Sequence, residues 1–542
     1  SAKAATTVDN TGIINAGPDG DVTLFADAGV SSNETGTIIA DTLEISGDFV
    51  NIFNLGALDI NSLLIDPTGT LTIEQGAAGT YAGIENGPVT ATSEDLEALL
   101  NIADVTLGYD DFIISDGGGS TIDVTGYGNS LTLDTNNATG TFTFDPNTSF
   151  TYTGGGALTI STGTFAGSSG NIAGAGDVSL VGKHNTTALT LPGTVTAGGA
   201  LNIDANAGLN VNNTLSGAAG LTLTADNAII VAPGADLTSS AGSISVSNDS
   251  GNIEVYTVGN INALNNITFD ANGGLIQLGG AGAAISATNG FVSVEASSNI
   301  LAVGAISANL GINLTAGGTI TGSDNLTTST GGITLSSQGA LNINNSILNS
   351  GAFIDLSSAS STITASTLTA GTYIDIDART GVTLNGAISA GTNVNVDVTN
   401  AGTITAAAAT MTTTNGNIEI VNNQGAITLP ADLTANGAGN QVLVQTTNSG
   451  DITIGAATTN KVTADHVEFV TGGNYADIIV NSTINATGVA SFVVNAAGDY
   501  TQEGDITSAG AIDITAGGGV TLNSDVVSAA TDIAIDAGTF AT

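Results

Sequence analysis

Gly351-Ala352-Phe353-Ile354-Asp355-Leu356-Ser357-Ser358, Gly371-Thr372-Tyr373-Ile374-Asp375-Ile376-Asp377-Ala378 and Gly391-Thr392-Asn393-Val394-Asn395-Val396-Asp397-Val398 are three statements of one phrase. An apolar residue, a polar one and a second apolar one follow shortly after a glycine. A spacing of two turns both apolar side chains to one face, which is strand periodicity. Working outward, the pair recurs from Leu158/Ile160 through Leu201/Ile203, Ile244/Val246, Val292/Val294 and Ile333/Leu335. It continues through Ile418/Ile420, Val442/Val444, Val467/Phe469 and Phe492/Val494 to Ile533/Ile535, at steps of 20 to 25 residues. Gly, Asn, Ser and Thr between pairs supply turns. A second apolar group often falls mid-repeat, as in Leu209/Val211 and Val382/Leu384.

Two or three short strands per repeat, joined by tight turns, predict one coil of a parallel β-helix, an all-β solenoid. Coils stack ~4.8 Å apart, so the 18 expected after residue 156 would make a rod roughly 85 Å long. Leucine-rich repeats need helical segments, which Gly, Thr and Asn at this density disfavour. Propeller blades need periods of ~40 residues.

The repeat replaces the three or four domains that 542 residues would otherwise suggest at ~150 residues each. Residues 1–155 read as a less regular β-rich region, and residues 156–542 as the regular helix. Pairs such as Leu43/Ile45, Leu71/Ile73, Leu131/Leu133 and Phe142/Phe144 come at uneven steps in the first region. One segment near 93–101 reads as a helix, Ser93-Glu94-Asp95-Leu96-Glu97-Ala98-Leu99-Leu100. Its acidic first turn suits the helix dipole, and positions 96, 99 and 100 share a face expected to cover a coil end or side.

Composition removes several function classes. The chain has 48 Asp plus Glu against 4 Lys plus Arg, a formal charge of −44. Nucleic-acid binding needs phosphate-neutralising cations, and docking to anionic lipid needs the same, so neither is expected. Gly at 74 residues with only 7 Pro excludes collagen. With no Cys there is neither a disulfide framework nor a thiolate zinc site. No transmembrane run of ~18 apolar residues and no signal-peptide pattern is found. The chain opens at Ser1 without Met, as expected of a processed chain or a piece of a longer one. It stops mid-coil at Ala541-Thr542, so either the chain continues in nature or another molecule completes the last coil.

The Gly199-Ala200-Leu201-Asn202-Ile203 and Gly331-Gly332-Ile333-Thr334-Leu335 phrases resemble the filamentous-haemagglutinin-like bacterial exoproteins. So does the run Thr92-Ser93-Glu94-Asp95-Leu96-Glu97-Ala98-Leu99-Leu100 followed by Val105-Thr106-Leu107. The resemblance implies a right-handed β-helix outside the cell, at the bacterial surface, exported by a partner pore and used as an adhesin or surface filament. The family's secretion motif is of Asn-Pro-Asn type; this chain has Asp145-Pro146-Asn147.

Catalytic parts are few. His184 and His466 fall some thirteen coils apart, ~60 Å along a stack, too far for a shared centre. The strongest acidic cluster is Asp355, Asp375, Asp377 and Asp397, where stacking would bring like carboxylates ~5 Å together and either raise pKa or recruit a cation. Arg379 is expected on the same side. The cluster reads either as a solvated acidic face or as the paired carboxylates of a β-helical polysaccharide lyase or hydrolase. Calcium is a third use of carboxylates: Asp19, Asp21, Asp110, Asp111 and Asp116, with the four above, can supply oxygen ligands. A turn role explains each Asp-Gly equally well. No cofactor is required.

The outward positions carry one further signal. In sixteen coils from Leu201 on, the residue between the anchors is polar in thirteen and the residue after the second anchor in fourteen. Four of the five exceptions, Val421, Leu443, Val470 and Val493, fall in consecutive long coils. They predict either a contact face for another copy of the chain or a surface covered by each coil's own longer loop. The expected function is a structural or adhesive protein without chemistry of its own, self-associating into a filament or bundle. A monomeric stalk binding host-cell or matrix glycans through residues 1–155 is the alternative, with the polysaccharide-active enzyme third.

Overall fold

The computed structural model describes residues 2–538 apart from 5–6, 11–12, 17–20, 27–28, 33–36, 48, 53–57, 67–68, 75–83, 86, 116–120, 168–169, 257–258, 280–283, 303, 407–409, 430–431, 474 and 490–491. Side chains are described chiefly from residue 92 onward. The described chain forms two compact units, 1–273 and 274–542. Each is a parallel β-solenoid, and together they make about 19 turns.

The coil is three-sided. A representative turn runs through Ile374–Ala378, Gly381–Leu384 and Ile388–Ala390 before Val394 starts the next. Each strand pairs in parallel with its counterpart one coil on: Ile374 with Val394, Val382 with Ile404, Ile388 with Met411. We call the side that carries the anchor pairs the anchor sheet.

The anchors form the columns expected of them. In the second unit Ile354, Ile374, Val394, Ile418, Val442, Val467 and Phe492 are successive register partners, and each is 0% exposed. Each such buried side chain contributes about 1.5–3 kcal/mol of transfer free energy. Ile533 and Ile535 depart from this, at 48% and 39% exposed, because they pair with Ile512 and Ile514 on one side only among the described residues.

In the first unit the same ladder already includes Asp104–Tyr109 and Leu131–Thr135, running Val105, Leu131, Leu158, Val178 and Leu201. The uneven steps before residue 156 come from wider coils with aromatic filling. Tyr109, Phe112, Phe142, Phe144, Phe150 and Tyr152 are all buried there, and Phe112 stacks on Phe142 at 5.6 Å. The Tyr152 hydroxyl donates to the Asn129 carbonyl, and burial pushes its pKa up to about 12. That hydroxyl occupies the space of a β-carbon at Gly126, 2.1 Å away, so only glycine fits.

Nearer the amino terminus, Val22–Ala26 pairs in parallel with Leu43–Gly47, while Ile84–Glu85 runs antiparallel to Phe49–Val50. The helix spans Ser93–Leu100 with Leu96, Leu99 and Leu100 buried. It lies against the side of a coil, at the strand Thr121–Thr125, where the Thr125 amide donates to Glu97 Oε1 at 2.8 Å. The Asn129 side chain closes its other end, its Nδ2 donating to the Leu100 carbonyl at 2.6 Å.

Candidate functional site

Residues that alternate with the buried anchors point outward, so the anchor sheet of the second unit presents three columns to solvent. The column between the anchors runs Ser293, Asn313, Thr334, Asp355, Asp375, Asn395, Glu419, Leu443, Glu468 and Val493. The column after the second anchor holds Ser357, Asp377, Asp397, Val421, Gln445 and Val470.

The structure therefore brings the four carboxylates together in two adjoining pairs. Asp355 is the register partner of Asp375, and Asp377 that of Asp397. Ladder neighbours are ~4.8 Å apart, close enough for like charges to oppose ionisation. Partial loss of hydration on the outer face, then Asp375, Asp397 and Asp355, push Asp377 up to about 6, although its side chain stays open to solvent. Burial and then Asp375 raise Asp355 and Asp397 as well, while a bond from the Val398 amide partly offsets the rise at Asp397. Two shallow hollows of about 360 and 340 Å³ share Asp377 and Asp397 as lining. Arg379 lines the second and is exposed, yet no carboxylate lies within ion-pair distance of it among the described residues. Its position on the same side is as expected, but it leaves the cluster's charge uncompensated.

The other acids expected to bind metal are spread over the first unit. Asp19 and Asp116 lie outside the described residues, and Asp21 is exposed. Asp111 accepts from the Thr141 amide and hydroxyl, both at 2.7 Å, and Asp110 accepts from the Asn137 side chain at 3.3 Å. Among the described residues no group of three or more His, Asp or Glu is placed to hold a metal ion. His184 and His466 belong to different units. His184 Nδ1 accepts from the Thr186 and Thr187 amides in a turn, and His466 Nε2 lies 3.5 Å from Glu468.

Val421, Leu443, Val470 and Val493 sit on the outer face, half-buried, in a zigzag across the two columns. Acids interleave with them: Glu419 and Glu468 flank Leu443, and Asp397 precedes Val421. The extra residues of these long coils extend the strands to Val394–Ala401, Ile418–Gln424 and Gln441–Ser449, with register shifts after Val398 and Asn422.

Two features were not evident from the pairs alone. Many acids and asparagines stand at corners just before a strand, where the side-chain oxygen accepts the amide of the equivalent residue one coil on. Asp451 takes the Asp477 amide at 2.9 Å, Asp477 that of Asp499 at 2.7 Å and Asp499 that of Gly519 at 2.6 Å. Asn393 and Asn417 do the same, at 2.9 Å each. The second feature is a third outward column, one residue before the first anchor, which carries Phe291, Gly311, Gly332, Phe353 and Tyr373. The same alternation, carried one position back, reaches it.

Among the described residues no helix is long and apolar enough to cross a membrane. Comparison of the chain with protein-family models, with curated proteins and with solved structures finds no match, so the kinship suggested by its repeated phrases rests on those phrases and on the β-solenoid they build.

Proposed function

We propose that this chain is an extracellular structural and adhesive protein of a bacterial surface, working by presenting a long repeated face and carrying no chemistry of its own. The observation that supports this best is the anchor sheet of the second unit: in-register columns of small polar and acidic residues over successive coils. Each coil is templated by its neighbours, which suits a surface meant to stay folded when exposed. The acidic coat holds chains apart at low salt, and divalent cations or salt should let them approach.

Self-association through the apolar zigzag is the filament form of this reading. In sedimentation velocity, added calcium is expected to shift the chain to larger species. Leu443→Asp with Val493→Asp should leave it monomeric with an unchanged β circular-dichroism spectrum. A double variant that assembles like the parent rejects the contact face.

Asp377 supports one other reading. A carboxyl group raised to about 6 beside a second carboxylate is the equipment of a glycoside hydrolase. Release of reducing ends from polysaccharide, lost in Asp377→Asn, would favour it; no release from a broad polysaccharide panel would remove it.

A further inference from the structure

The second unit carries a built cleft that neither the acid pairs nor the apolar zigzag explains. Phe291 and Phe353 stand three coils apart in one outward column, with Gly311 and Gly332 between them. A β-carbon on Gly332 would lie 2.4 Å from the Phe353 ring, so the ring rests directly on the glycine backbone. Phe353 in turn stacks on Tyr373 with centroids 5.2 Å apart and planes 6° from parallel. The result is an open cleft of about 530 Å³ with a glycine floor, walled by Phe291, Leu310 and Phe353. Leu310 is 56% exposed, Phe291 39% and Tyr373 37%, an apolar concentration separate from the zigzag of Val421, Leu443, Val470 and Val493.

Beside this apolar strip runs a strip of hydrogen-bonding groups, Ser293, Asn313 and Thr334, which continues into Asp355 and Asp375. The two strips are parallel and one residue-pair wide. Such a surface offers ring faces to C–H groups and, alongside, donors and acceptors to hydroxyls, which is the pairing an extended sugar chain presents. Charge narrows the choice. No Lys or Arg lines the cleft, and carboxylates extend its polar strip, so a sulfated or uronic-acid chain would meet only repulsion. A second copy of this face would bring its own acids against Asp355 and Asp375, which disfavours self-pairing here.

We propose that the Phe291–Phe353 cleft binds a segment of a polysaccharide free of acidic groups, laid along the stacking direction over the glycine floor, with its C–H groups against the Phe291, Leu310 and Phe353 walls and its hydroxyls on Ser293, Asn313 and Thr334. This deepens the adhesive reading by naming the ligand class and moves the binding face from the amino-terminal region to the second unit.

The test titrates the full chain with cellohexaose and chitohexaose, with a hyaluronan hexasaccharide as the acidic control, following heat or tyrosine fluorescence. At least one neutral hexamer should bind saturably, and the hyaluronan should not. Phe353→Ala should weaken binding about tenfold, the loss of one aromatic contact, and Phe353→Tyr should restore it. Asn313→Ala, at an exposed site, should weaken it without touching the core and guards against misfolding of the aromatic variant. Absence of binding to both neutral hexamers, binding unaffected by Phe353→Ala and Asn313→Ala, or preference for hyaluronan would each overturn the proposal. So would a change of sedimentation with Phe353→Ala in the absence of sugar binding, which would make the cleft a self-contact. Failure here with calcium-dependent assembly intact removes this site alone and leaves the structural reading standing.

Discussion

Asp377 and Asp397 on the face of the anchor sheet, and Asp451, Asp477 and Asp499 at the corners that follow it, are the same residue type repeated one coil apart, at 20 to 26 residues. They behave differently because of where the backbone puts them. At a corner each carboxylate receives the amide of the next coil, so its charge is solvated by protein and links coil to coil. On the face the backbone donors are already spent on the strand ladder. There the acids face one another, only Asp397 accepting an amide, that of its neighbour Val398, and Asp377 is pushed up to about 6. The lesson is that in a solenoid an acid's role follows its place in the coil rather than its neighbours in sequence.

The sharpest way to break that comparison is to move a carboxylate one residue inward. Ile376→Asp would place it in the dry column between Leu356 and Val396, with neither water nor donor. The expected cost is on the order of 4 kcal/mol or more, seen as loss of folded chain or of hydrogen-exchange protection across the flanking coils. An exchange pattern like the parent's would show that the column is not the core.

Removing a corner acid should cost less. Asp477→Ala loses the bond to the Asp499 amide, and we expect destabilisation of about 1–2 kcal/mol, measured as faster exchange at Asp499 and its neighbours. Removing the charge at Asp377 should have the opposite sign. A carboxyl whose folded pKa lies above its unfolded one holds more protons when folded, so its contribution to stability is complete below pH ~4 and is lost as pH rises to about 6. Asp377→Asn should therefore stabilise the second unit at pH 7 and flatten the pH 4–6 slope in chemical unfolding. Two pKa units correspond to at most ~3 kcal/mol, and solvent screening at this exposed side chain brings the expected gain to about 1 kcal/mol or less. Equal signs at 377 and 477 would refute the distinction between face and corner.

Much of this architecture could be read without coordinates. A spacing of two, repeated at 20 to 25 residues, specifies inward columns whatever the loops do. The helix at Ser93–Leu100 was legible from its apolar face, and the pairing of Asp355 with Asp375 and Asp377 with Asp397 from coil spacing alone. The corner bonds were not. Asp and Asn before a strand read as ordinary turn residues, and their partners lie 20 to 26 residues away, fixed only once the register is known. The aromatic cleft was hidden for a related reason: its floor is two glycines, and Phe291 and Phe353 are 62 positions apart.

By itself, then, the order of residues determined that this chain coils, which side chains go inside and how acidic its surface is, because alternation and composition act within a single strand. Which acid receives a backbone amide, which repels its neighbour and where aromatic rings gather over bare glycine were decided only by the stacking of coils. Those interactions act across a gap of one strand spacing, between residues the chain keeps a whole turn apart.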